Sequence, residues 1–182
     1  MITRRDTLRL AGAAGVSALA GACRALARPV QAADWPAIMA KARGQTVYWN
    51  AWAGDERTNS FIAWVGREVK QAHGVTVEHV RLRDTAEAVT RVLAEKQAGR
   101  MSGGGVDLIW INGPNFLAMK NQNLLFGPYA EALPNWAFVD TTKKRSNIVD
   151  FTVPVDGLAT PWGMEQVVFL QDSARTPLAG LP

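Results

Sequence analysis

Val106-Asp107-Leu108-Ile109-Trp110-Ile111 is an almost continuous apolar run bounded by the Ser102-Gly103-Gly104-Gly105 loop and by Gly113. Runs of this kind suit a parallel strand buried on both faces, at the centre of a sheet covered by helices. Upstream, Thr46-Val47-Tyr48-Trp49-Asn50-Ala51-Trp52 is rich in aromatic and β-branched residues and predicts another strand. Val75 to Leu82 alternates partly and predicts a third.

Helical patterns fill the gaps. Asp34 to Arg43 predicts a short helix with Trp35, Ile38 and Met39 on one side, ended by Gly44. After the Ala53–Thr58 loop, Asn59 is placed to cap a helix running to about Ala72. Ile62, Val65 and Val69 fall on one face of it, and His73-Gly74 stops it. Asp84 with Glu87 makes a capping pattern for the next helix, whose buried stripe is predicted as Ala86, Val89, Val92 and Leu93. Asn112-Gly113-Pro114 turns off the last strand, and Asn115 is placed to cap a helix from Phe116 to Asn121. Alternating strands and helices predict an α/β fold with a mostly parallel sheet and right-handed crossovers. After Leu125 the pattern weakens. Lys143-Lys144-Arg145 reads as a solvated turn, Asn147 to Pro154 as an extended segment, and Val167 to Leu170 as strand-like.

The chain has 182 residues, enough for one ordinary domain, and 48% are apolar, enough for a core. Its net charge of +4 is confined to residues 1–32, where Arg4, Arg5, Arg9, Arg24 and Arg28 face Asp6 alone. The remainder is neutral, so no basic face is left for nucleic acid. Thr3-Arg4-Arg5-Asp6-Thr7-Leu8-Arg9 resembles a twin-arginine export signal, with Thr7 where Phe is usual. Leu10 to Ala22 follows as a mildly apolar segment, and Val30-Gln31-Ala32 supplies a small-residue cleavage pattern. Residues 1–32 are thus expected to engage the twin-arginine translocase and direct the chain to the periplasm. Cys23, the one cysteine, lies in this leader. Leu19-Ala20-Gly21-Ala22-Cys23 resembles a lipoprotein box with its Leu one residue too far upstream, so lipidation and simple removal are both open. The mature chain has no disulfide or thiolate chemistry.

Ligands of open α/β sheets lie beyond the carboxyl ends of the strands. That edge gathers the candidate ligand-binding residues Trp52, Asp55, Glu56, Asn112, Asn115, Trp162 and Glu165. Asp55-Glu56 suits a cationic ligand, or equally a helix N-terminus, where carboxylates oppose the dipole. Trp49, Trp52 and Trp162 offer cation–π faces or core packing. Trp64 and Trp110 read as core or interface. His73 and His79 lie in unlike settings, one at a helix end and one in a strand, and suggest no metal pair. There is no phosphate-cradling glycine loop, nucleophile elbow or His-Glu-x-x-His motif. No cofactor, metal or catalytic residue is expected. A carboxylate-dependent hydrolase and an exported interaction module remain as alternatives to binding.

Four stretches carry a family resemblance: Gly44 to Trp52, Asp55 to Asn59, Val106 to Gly113, and Pro161-Trp162-Gly163-Met164. They resemble the periplasmic solute-binding proteins of ABC importers, a subgroup named for thiamine import in particular. The resemblance implies two α/β lobes closing on a small solute, cationic thiamine-like molecules among the candidates, with an ABC permease and its ATPase as partners. It divides the chain into a signal peptide at 1–32, a first periplasmic-binding-protein-like lobe at 33–150, and a crossover segment at 151–182. On this expectation the second lobe is missing and the chain is a fragment or truncated product.

Overall fold

The computed structural model describes residues 35–163 together with Asp172, Ala174 and Arg175. The leader, Glu165 and the Val167–Leu170 run lie outside the described residues. The chain begins with helix α1 (Trp35–Ala42), strand β1 (Thr46–Trp52) and helix α2 (Glu56–His73). Strand β2 (Thr76–Leu82), helix α3 (Ala86–Gln97), a two-residue strand β3 (Leu108–Ile109) and helix α4 (Gly113–Asn121) follow. The expected α/β architecture is present: β1, β2 and β3 form a three-stranded parallel sheet flanked by helices. No helix among the described residues is long and apolar enough to cross a membrane.

Strand order is β2-β1-β3. This corrects the placement of the Val106–Ile111 run at the centre. The middle position belongs to β1, which pairs with β2 along its whole length, from Thr46 beside Thr76 to Trp52 beside Leu82. β3 touches β1 only, through Trp49 beside Leu108 and Asn50 beside Ile109. Leu108 is accordingly 40% exposed. Asp107 and Trp110, on either side of these two residues, donate their N–H groups to the Tyr48 and Asn50 carbonyls at 3.2 and 2.9 Å, and the Asp107 carboxylate accepts from the Tyr48 backbone N–H at 2.8 Å.

The two faces of β1 differ in kind. Trp49 and Ala51 are buried beneath Ile62 of α2, with Val65, Val77 and Trp110 packed around them. Burying an Ile side chain contributes about 1.5–3 kcal/mol, so this small cluster holds α2 to the sheet. Asn50 points the other way and is fully buried. Its Nδ2 donates to the carbonyls of Tyr48 and Gly105, at 3.2 and 3.0 Å, and its Oδ1 accepts from Arg91 at 3.3 Å. One amide therefore ties the middle strand to α3 and to the glycine loop, and every polar atom of it is satisfied.

Three helix starts differ from expectation. Asp55, not Asn59, caps α2, because its short carboxylate reaches the Thr58 N–H three residues on. Asn59 is swallowed into the first turn and donates to the Ala53 carbonyl and to Glu56. In α3 the cap position belongs to Thr85, not Asp84, with no side-chain cap bond, and the fully buried residue is Ala88, while Ala86 is exposed. Asp84 still satisfies the first donor, accepting from the Ala86 N–H at 2.8 Å. α4 begins at Gly113 and not Phe116, so Asn112 takes the cap position and Asn115 falls inside the helix. The C-terminus of α2 matches expectation, with Gly74 left-handed at φ 69° and its N–H donating to the Lys70 carbonyl.

Beyond α4 the chain forms short 3-10 turns at Ala130–Ala132, Pro134–Phe138 and Arg145–Asn147. Strands β4 (Val149–Asp150) and β5 (Val153–Pro154) then pair antiparallel as a small separate hairpin. The basic run Lys143-Lys144-Arg145 is exposed.

Candidate functional site

Parallel pairing of β1 with both neighbours brings all three strand exits to one edge of the sheet. Trp52 ends β1, Thr85 follows β2, and Trp110, Ile111 and Asn112 follow β3. These five residues line a shallow depression of about 180 Å³. The indoles of Trp52 and Trp110 stand 6.2 Å apart, tilted by 54°. Thr85 Oγ1 donates to the Trp110 carbonyl at 3.2 Å, joining the exit of β2 to that of β3. Asn112 is exposed, and among the described residues its side chain makes no hydrogen bond, so its amide has both donor and acceptor to offer. The first N–H of the helix, that of Gly113, donates to the Asp150 carboxylate at 2.6 Å. That contact fixes the hairpin region against the start of α4.

Of the seven expected ligand residues, Trp52 and Asn112 line the depression together. Asp55 is committed to structure: one of its oxygens, Oδ2, accepts from both the N–H and the hydroxyl of Thr58, at 2.9 and 2.7 Å. The hydroxyl bond from Thr58, then the backbone bond, holds its pKa below the ordinary 3.8. Glu56 occupies the first turn of α2 and accepts from Asn59 at 3.2 Å. Asn115 lies half-buried within α4 and does not line the depression. Trp162 sits one layer behind, 5.6 Å from Trp110 and edge-on to Trp49 and Phe61 at 5.4 and 5.5 Å. Such contacts are worth about 0.5–1.5 kcal/mol each beyond burial, so Trp162 props Trp110 and does not form the wall itself. Glu165 lies outside the described residues.

Thr85, Trp110 and Ile111 were not among the expected site residues. Thr85 was legible in principle, because the exit of β2 belongs to the same edge as the other two. Trp110 serves both roles, packing on the core cluster with one part of its ring system and bordering the depression. Gly54 has a further role in shaping the wall. A Cβ there would lie 2.5 Å from Cε2 and 2.8 Å from Cη2 of Trp52, with Cζ2 closer still. The Trp52 ring therefore lies flat on the glycine, in space that any side chain would fill.

The chain is similar to Protein YnjB of Escherichia coli (strain K12). The two are 45% identical over 146 residues, which is 80% of this chain and 37% of the relative. The chain thus spans little more than a third of that relative's length. No family model matches the chain, and no solved structure matches it. This corrects the expected membership of the solute-binding family and its thiamine-import subgroup: no such model matches, and the relative's name points to no thiamine-binding protein.

Proposed function

We propose that this chain is an exported binding protein that captures a small solute in the strand-end depression, for delivery to a membrane permease driven by its ATPase. The single observation that carries this reading is the pairing of Trp52 and Trp110, 6.2 Å apart, with the free amide of Asn112 between the carboxyl ends of adjacent parallel strands. Apolar walls with one orienting polar group are the usual composition of a small-molecule site. The rings favour a solute with a flat or cationic face, through stacking or cation–π attraction. The amide fixes its orientation by hydrogen bonding.

The hydrolase alternative needs a carboxylate poised to exchange protons near its working pH. Asp55 tends the other way: its two Thr58 bonds, both at Oδ2, stabilise the ionised form. Glu56 is likewise engaged, with Asn59. Binding without turnover is the reading better supported by these commitments. The test is a titration of indole fluorescence with cationic and aromatic solutes, alongside product analysis by mass spectrometry. Saturable quenching that disappears in Trp52→Ala, with solute recovered unchanged, supports capture. Conversion of the solute, or quenching that survives Trp52→Ala, refutes it.

A further inference from the structure

A second and larger cavity, about 270 Å³, opens in the hairpin region and shares no lining residue with the strand-end depression. Its floor is apolar, from Ile148, Val149 and Val155, and is closed by the Val155 N–H donating to the Ile148 carbonyl at 2.9 Å. Trp136, half-buried on the Pro134–Phe138 turn, supplies an aromatic wall. Three charges stand around the rim: Arg145, Glu131 and Asp156. Asp156 is already neutralised, with Lys120 Nζ 2.7 Å from its Oδ2. Arg145 and Glu131 make no ion pair among the described residues. The cavity therefore offers one unspent guanidinium, one unspent carboxylate and an apolar interior.

We propose that this cavity is a second ligand site, taking a small zwitterion of the amino-acid kind. The carboxylate of the ligand meets the planar fork of Arg145, which suits two parallel hydrogen bonds. Its ammonium meets Glu131, and its aliphatic body lies against Trp136, Ile148 and Val155. A phosphate dianion fits less well, because Glu131 and Asp156 would face its second charge. The volume equals that of roughly nine waters in the liquid, at about 30 Å³ each, which suits a molecule of on the order of ten non-hydrogen atoms. The basic run Lys143-Lys144-Arg145, unremarkable as a solvated turn, thereby gains a role for its last member.

The test uses the full 182-residue chain and the indole N–H resonances of its seven tryptophans. Trp136 is assigned by Trp136→Phe. The probes are L-leucine, L-leucinamide, which lacks the carboxylate, and N-acetyl-L-leucine, which lacks the ammonium. The expected result is a saturable shift of the Trp136 resonance with L-leucine, and binding about tenfold weaker for each blocked probe, the size of one lost charge-assisted contact. Arg145→Gln should bind L-leucine and L-leucinamide alike, and Glu131→Gln should bind L-leucine and N-acetyl-L-leucine alike. Both side chains are exposed, and the remaining six resonances report that the fold is intact. The proposal is overturned if Trp136 does not respond to L-leucine, if only Trp52 and Trp110 respond, or if either variant keeps the wild-type discrimination.

Discussion

Replacing Gly54 by Ala should weaken solute binding at the strand ends while leaving the fold in place. The added methyl would lie 2.5 Å from Cε2 and 2.8 Å from Cη2 of Trp52. Carbon atoms in contact settle at about 3.5–4.0 Å, so the indole must retreat by about 1 Å or more. It has room to do so, because Trp52 is 39% exposed and its outer side is open. An off-rotamer side chain costs about 0.5–1.5 kcal/mol, which bounds the expected loss of stability. The loss in binding is a separate quantity. A displaced ring no longer faces Trp110 at 6.2 Å, and a stacking or cation–π contact of about 0.5–2 kcal/mol goes with it. That is a two- to thirtyfold increase in Kd, read by calorimetry with a solute that quenches the wild-type indoles. Near-ultraviolet circular dichroism would report the moved ring, and thermal unfolding the retained fold. If the ring signal changes and affinity does not, Trp52 is no part of the binding wall and the reasoning fails.

Three further outcomes follow from other parts of the chain. Ile62→Ala removes the buried centre of the cluster under α2, where Ile62 is 1% exposed, and should cost about 2–5 kcal/mol in denaturant unfolding; a loss below about 1 kcal/mol would mean α2 is held elsewhere. The carboxylate of Asp55 has its pKa lowered by the Thr58 bonds, so its stabilisation of α2 is complete above the ordinary value of 3.8 and fades as pH falls through the lowered one. Asp55→Asn should remove that part of the acid transition, and an unchanged unfolding profile below pH 4 would contradict the assignment. Changing Arg4 and Arg5 together to Lys should leave unprocessed precursor in the cytoplasm, as seen by fractionation and immunoblotting, and normal processing of that variant would remove the twin-arginine reading.

How far the fold was legible follows from the strength of each local signal. β1 was predicted to its observed bounds because seven consecutive aromatic, β-branched and small residues admit no competing helical period. β2 differed by one residue. β3 was predicted too long and too central, because an apolar run reports burial without reporting how many neighbours the strand has. The order β2-β1-β3 decided that. The caps of α2 and α4 were misplaced where several cap-forming residues crowd together, as in Asp55 to Asn59 and Asn112 to Asn115. Side-chain reach chose among them at Asp55, and at α4 the distant Asp150 supplied the carboxylate that no local pattern reveals.

The candidate site was legible as an edge and less so as a list. The alternating strand-helix pattern predicts parallel pairing, which puts the strand exits at one edge, and Trp52 and Asn112 of the expected residues line the depression there. The carboxylates nearby resembled ligand groups but were absorbed by helix capping, an outcome that dipole considerations also allowed. Thr85 was missed because its strand exit was not counted with the others, and Trp110 because a tryptophan can pack on a core and border a site at once.

The most direct measurement is a map of the seven indole N–H resonances during titration with a panel of small cationic and aromatic solutes. The depression is smaller than most ligand pockets, at about 180 Å³, so binding in the weak range is expected and the method must tolerate it. The account predicts saturable shifts at Trp52 and Trp110 together, with a smaller response at Trp162 behind them, and loss of the shifts in Asn112→Ala. Saturable shifts from these solutes that spare both Trp52 and Trp110, or that persist undiminished in Asn112→Ala, would contradict it.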